Sequence, residues 1–116
     1  MIINKLEIFS MVFGFLLLYT LPASPQKLKE NPALDEKVKR FLSENSRQWY
    51  DMNIPVTDGQ LLHDIILKNG YKSALEIGTS TGHSGIWIAW ALSKTGGKLI
   101  TIDIDEGRHR RALENF

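Results

Sequence analysis

Ser73-Ala-Leu-Glu-Ile-Gly-Thr-Ser-Thr-Gly-His-Ser84 is the stretch from which the fold can be read. Residues 73–77 form a short apolar run between Asn69-Gly70 and Gly78, the pattern of a buried strand. Gly78 and Gly82 let the backbone turn sharply and approach a ligand with no side chain intervening, so residues 78–82 read as a tight turn from strand to helix. The helix that follows, residues 84–92, carries Ile86, Trp87, Ile88, Ala89, Trp90 and Leu92 and is apolar nearly all round, so it should be buried on more than one side. Lys94-Thr-Gly-Gly97 is the next turn, residues 98–103 a second strand, and residues 106–116 a further helix. Strands and helices that alternate over short connections imply an α/β fold, with a parallel sheet joined by right-handed crossovers.

Upstream, Asn31-Pro32 marks a boundary, and Leu34, Val38, Phe41 and Leu42 recur at helical spacing with Asp35 and Glu36 in the first turn, where the helix dipole favours acids. This helix should end near residues 48–50. Residues 51–58 hold Pro, Asn and Asp and read as a loop; Thr57 or Asp58 is placed to cap a helix over residues 60–68, which Asn69-Gly70 stops.

The bulk numbers narrow the function. With 116 residues there is room for one domain at most, and 43% hydrophobic with 23% charged side chains is a globular balance rather than a disordered one. Fourteen basic against 13 acidic residues leave a net charge of +1, too little for a nucleic-acid footprint, so the expected partner is a small molecule and not a nucleic acid. The absence of cysteine excludes disulfides and thiolate metal sites. The N-terminus has Lys5, an apolar block over residues 8–21 and a break at Pro22-Ala-Ser-Pro25, which is signal-peptide architecture with a cut near residues 23–26. The block falls short of the roughly 20 residues of a membrane span, so export with cleavage comes before an uncleaved membrane anchor. Residues 1–26 are thus assigned to a leader and 27–116 to a domain.

A parallel sheet has its ligand crevice at the carboxyl ends of its strands, and the chemically unusual residues fall there. Glu76 stands near the end of the first strand, where an acid is costly unless something pairs with it. Asp103 ends the second strand 21 residues after Gly82, the chemistry and spacing suited to two ribose hydroxyls, although turn initiation or helix capping beside Asp105 and Glu106 would also explain it. His83 reads as a loop residue near the ligand rather than a base. His63 reads as structural on an exposed or half-exposed helix face, His109 as part of a solvated helix face, and Trp87 and Trp90 as core.

Ala74-Leu-Glu-Ile-Gly-Thr-Ser-Thr-Gly-His-Ser84 followed by Leu99-Ile-Thr-Ile-Asp-Ile-Asp105 resembles the first two motifs of the O-methyltransferases of the catechol and caffeoyl-coenzyme A type, and Ile54-Pro-Val-Thr-Asp-Gly-Gln60 is similar to that family's loop before the first strand. The resemblance implies a Rossmann-like class I methyltransferase fold, cut off after its second strand, and S-adenosylmethionine as cofactor. It implies that Glu76 and the backbone of Gly78 and Thr79 line the methionine and ribose end of that cofactor and that Ser84 hydrogen-bonds it. Asp103 would hold the ribose hydroxyls, and the backbone around Ile54 would cover the amino-acid end. Where the family usually has Tyr, this chain has His83. A divalent metal, the acceptor pocket and the catalytic base belong to later strands in such proteins, so no catalytic or metal-binding residue is expected within these 116 residues; the chain reads as the cofactor-binding portion, poorly stable alone, of an enzyme that would be a homodimer when complete.

Three other readings compete. Gly78-Thr-Ser-Thr-Gly82 fits the G-x-S-x-G elbow of an α/β-hydrolase with Ser80 as nucleophile, but Asp103 and His109 on one turn are badly placed to complete a triad. A dinucleotide-binding oxidoreductase shares the strand, glycine turn and acid, yet Gly78, Gly82 and Gly85 do not have G-x-G-x-x-G spacing. A non-catalytic truncated domain is the third.

Overall fold

A computed structural model describes residues 26–50 and 52–116. The leader assigned to residues 1–26 therefore lies outside the described residues except for Gln26, and among the described residues no helix is long and apolar enough to cross a membrane. The order is α1 (Pro32–Glu44), a 3-10 turn (Ser46–Gln48), α2 (Val56–Asn69), β1 (Ser73–Ile77), α3 (His83–Thr95), β2 (Lys98–Ile102) and α4 (Glu106–Asn115). The two strands pair in parallel, Ser73 opposite Lys98 through Ile77 opposite Ile102, so the α/β reading and the parallel sheet stand.

The helix boundaries differ from expectation for local reasons. Asn31 caps α1, its side-chain oxygen accepting from the Leu34 amide at 3.1 Å, with Pro32 in the first turn where a missing N–H costs nothing. Helix α1 stops at Glu44 rather than near Tyr50, because Asn45 turns its side chain back to the Phe41 carbonyl and a 3-10 turn follows. Helix α2 begins four residues earlier than residue 60. Pro55 is its N-cap, and the Pro55 carbonyl accepts from Asp58 and Gly59, which puts Thr57 and Asp58 inside the first turn instead of at the cap. Gly70, left-handed at φ 64°, ends α2 as expected.

The core is the seam between α2 and α3 laid on one face of the sheet. Ile66, Ile88, Ala91 and Leu92 form its centre, with Leu62, Leu67, Ala74 and Leu99 packed around them. Helix α3 is buried on several sides, as its apolar circumference requires. Gly59 lets it come close, since a Cβ there would overlap the Trp87 indole. His63 stands one helical turn along α2 from Gly59 and is 9% exposed, not half-exposed, packed against Trp90 and edge-on to Trp87. The strands are not buried on both sides as their composition suggests. Leu75, Ile77, Ile100 and Ile102 all point to the face of the sheet away from α3 and are 51–79% exposed.

Helix α1 is held to the body through Asp35, whose carboxylate accepts from the Trp90 indole at 2.6 Å and the Lys94 ammonium at 2.7 Å, both on α3. Those two donors, Lys94 first, keep the Asp35 carboxyl below the usual carboxylate range.

Candidate cofactor site

The carboxyl ends of β1 and β2 lie side by side and open into the turns at residues 78–82 and 103–105. The turn after β1 is held from below, as the amides of Gly78 and Thr79 both donate to the Ile102 carbonyl, at 2.8 and 3.2 Å. Gly78 is at φ +93°, and a Cβ there would meet nothing within 4 Å, so the backbone borders open space on that side. With both amides engaged by Ile102, neither residue has an N–H to spare; Gly78 is exposed, whereas Thr79 is buried and its carbonyl accepts from the Gly82 amide at 2.9 Å. The turn leads directly into α3. Its N-cap is Gly82 in the left-handed region, no side chain caps it, and the amides of its first turn have no intrahelical acceptor.

Asp103 follows β2, and the two explanations open for it separate cleanly. Capping of α4 is done by Asp105, whose side chain accepts from the Arg108 amide at 2.9 Å. Asp103 instead turns toward the glycine loop, accepting from the Asp105 amide at 2.8 Å through Oδ1 and from the Ser80 amide at 2.7 Å through Oδ2. These two backbone donors, Asp105 first, hold its carboxyl below the usual range, so it is an anion at neutral pH. Each oxygen retains lone-pair capacity for a hydroxyl donor. Ser80 sits at φ 48°, a conformation unfavourable for a side-chain-bearing residue, and the bond to Asp103 holds it there.

Glu76 finds its compensation on the covered face. Thr101, its register partner, donates to Oε2 at 2.6 Å, and the Ser84 hydroxyl donates to Oε1 at 2.5 Å, while Thr79 and Thr101 share a hydroxyl pair at 2.5 Å. Glu76 and Ser84 thus form one polar unit joining β1 to the start of α3. Ile54 joins from the other side. Its carbonyl lies 3.0 Å from His83 Nδ1, and Asn53 Nδ2 donates to Thr81 Oγ1 at 2.8 Å, which draws residues 53 and 54 against the glycine turn. Glu76 with Ser84, and Asp103 with the Ser80 amide, thus stand at the carboxyl ends of the two strands around the glycine turn, and Ile54 is tied to the start of α3 through His83. A cleft of about 670 Å³ lined by Gln48, Trp49, Tyr50, Thr81, Arg111 and Asn115 borders the same turn.

Two residues have roles the sequence did not announce. His83 is completely buried as the first residue of α3, not a loop residue. Trp49 stacks on its ring, 4.6 Å between centroids and 8° from parallel. Among the described residues no group of three His, Asp or Glu side chains converges to hold a metal ion. The geometry gives no support to the hydrolase reading of Ser80, Asp103 and His109, because Asp103 accepts from the backbone amides of Ser80 and Asp105 and His109 lies exposed on α4.

A parallel α/β unit with a glycine turn, an uncapped helix start and an acid after the next strand defines a nucleoside-cofactor-binding domain. The chain belongs to the O-methyltransferase family, whose model matches residues 25–116. Among solved structures it is similar to an O-methyltransferase from Bacillus cereus in complex with S-adenosylhomocysteine, at 25% identity and a TM-score of 0.56 over 90% of this chain and 43% of that one. It is similar also to TomG from Streptomyces achromogenes, an O-methyltransferase of tomaymycin synthesis in complex with S-adenosylmethionine, at 26% identity and a TM-score of 0.53 over 97% of this chain and 46% of that one. A Klebsiella pneumoniae protein described as an O-methyltransferase gives 28% identity and a TM-score of 0.55, over 90% of this chain and 43% of that one. The chain spans less than half the length of these structures. No curated protein matches it.

Proposed function

We propose that this chain binds S-adenosylmethionine in the crevice at the ends of β1 and β2 and forms the cofactor-binding portion of a Rossmann-like class I O-methyltransferase acting on a small-molecule hydroxyl. The observation that carries the reading is Asp103: an ionised carboxylate beside the open turn at Gly78, freed from capping duty by Asp105. Asp103 is assigned to the ribose hydroxyls. The Glu76–Ser84 pair and the backbone of Gly78 and Thr79 line the methionine and ribose end, and the segment at Ile54 covers the amino-acid end.

The bound cofactor supplies an electrophilic methyl on a sulfonium sulfur. What this chain contributes is placement, since methyl transfer needs the acceptor oxygen aligned with that methyl and little else from the cofactor side. Deprotonation of the acceptor, and any divalent metal, are assigned to residues outside residues 1–116 in a complete enzyme. Lys5, the apolar block and the break at Pro22 support an export signal or anchor over residues 1–26, and the near-neutral charge supports a small molecule rather than a nucleic acid as partner.

Calorimetric titration of S-adenosylhomocysteine into the chain tests the reading, with Asp103→Asn as the variant. The amide keeps its oxygen for the Ser80 N–H, gives up the acceptor facing the Asp105 N–H and loses the charge, so saturable binding weakened about tenfold or more is expected, the worth of a hydrogen bond to a charged group. Unchanged affinity in the variant, or no binding by a folded parent chain, would overturn the assignment.

A further inference from the structure

We propose that His83 is a positioning residue for cofactor binding: its imidazole, protonated on Nδ1, latches the segment at Asn53 and Ile54 onto the start of α3. The proposal rests on the reading that this segment covers the amino-acid end of the cofactor.

The ring's partners fix its protonation. The Trp87 indole lies 3.2 Å from Nε2, and an indole N–H can only donate, so Nε2 must be an acceptor and carries no proton. The ring is then neutral and its proton is on Nδ1, where it is donated to the Ile54 carbonyl at 3.0 Å. Burial, the larger influence, holds the imidazole pKa below its ordinary range despite the opposing bond to Ile54, which agrees with a neutral ring. Trp49 stacks on one face and fixes the plane. Three contacts thus determine position, plane and tautomer of a fully buried side chain.

The latch joins the two walls of the crevice. His83 begins α3, next to Ser84 and to the first-turn amides, so one wall is built on its own backbone. The other wall is a segment outside any helix or strand before Pro55, and the latch fastens it at Ile54. Asn53 to Thr81, at 2.8 Å between half-buried groups, is a second fastening of the same segment. With the carbonyl of Ile54 pinned inward, the segment enters binding already ordered, and the ligand need not bear that ordering entropy. Residue 83 acts through Ile54 and touches no reacting atom.

Two substitutions separate this role from simple space-filling. In His83→Asn the amide nitrogen falls near the position of Nδ1 and can still donate to Ile54. In His83→Phe the ring keeps volume and stacking on Trp49 but has no donor. S-adenosylhomocysteine affinity measured by calorimetry on the full chain should stay within about threefold of the parent for Asn and fall about tenfold for Phe, the worth of one buried hydrogen bond. Amide hydrogen exchange at residues 53 and 54 should accelerate in the Phe variant only. Nitrogen-15 spectra of the parent imidazole at neutral pH should show protonated Nδ1 and unprotonated Nε2. Equal losses for Asn and Phe, Phe binding as tightly as the parent, or an Nε2-protonated or doubly protonated ring would each overturn the latch. If the parent chain binds no S-adenosylhomocysteine, the cofactor reading fails by itself; the exchange and nitrogen-15 measurements still decide whether His83 ties down Ile54, and a parent-like exchange rate in the Phe variant then overturns it.

Discussion

Asp103 carries two duties that a single truncation cannot separate. Asp103→Ala would remove the anion and release the Ser80 amide, leaving a residue at φ 48° without its support, so lost binding there would not distinguish a missing ligand contact from a loosened turn. That is why the amide variant is the informative one. His83 poses the complementary case, a group neutral because it is buried. Its folded pKa lies below the unfolded value of about 6.5, so the unfolded chain takes up the proton first. The stabilisation from the neutral ring is complete above that pH and declines as pH falls through it toward the folded pKa. Trp49, Trp87 and the Ile54 carbonyl surround the ring, and neither of the influences on its pKa is a charged side chain. Thermal melts of the chain between pH 7.5 and 5 are therefore expected to drop in midpoint below about pH 6.5, and the drop should be absent in His83→Phe. A parent and variant that decline in parallel would assign the effect elsewhere.

At the scale of elements, α1 is tied to α3 by the polar contacts of Asp35 and by its buried Leu42. Asp35 is 22% exposed in its side chain and Lys94 13%, so the pair is shielded without being fully dry. Asp35→Ala leaves the Trp90 indole and the Lys94 ammonium without their acceptor and should cost about 1–2 kcal/mol, toward the lower part of the range for charged hydrogen bonds because solvent still reaches the pair. A chemical-denaturation midpoint unchanged by that substitution would mean α1 is held by packing alone. The pairing joins residues 59 apart in sequence, and no local pattern encodes it; Asp35 in isolation reads only as a first-turn acid. The two strands were legible because a short apolar run between glycines has few other conformations, and their bounds agree with the sequence reading to within a residue. The start of α2 was not, since Thr57 and Asp58 have cap chemistry and Pro55 has none, yet the Pro55 carbonyl takes the first helical bonds. Gly59 held a usable signal. A glycine one turn before a histidine, which is four before Leu67, marks the close-packed stripe that buries His63 against α3. Of the expected site residues, Glu76 and Asp103 were legible by their places at the strand ends, but the bonds they make, Ser84 to Glu76 and Ser80 to Asp103, depend on how the turns fold back on the paired strands and were beyond any reading of spacing.

At the scale of the molecule, the sheet is covered on one side among the described residues. Leu92 is 1% exposed in the seam between α2, α3 and the sheet, whereas Ile100, on the opposite face of β2, is 55% exposed. Both are large aliphatic residues, so hydrophobicity alone predicts similar penalties for truncation. Burial predicts otherwise: Leu92→Ala should cost about 2–5 kcal/mol from lost transfer energy and a cavity, and Ile100→Ala well under about 1 kcal/mol, because much of its surface already meets water. Solubility should move the other way. Leu75, Ile77, Ile100 and Ile102 form a contiguous apolar patch on a sheet with open edges, which favours non-specific association. Replacing Ile77 and Ile100 by Thr keeps β-branched side chains suited to strands while making the patch more polar, so the soluble fraction on expression should rise with the melting midpoint nearly unchanged. A midpoint that collapses in the double variant would show that this face is buried in solution, and the exposed side of the sheet would then have to be reassigned as core.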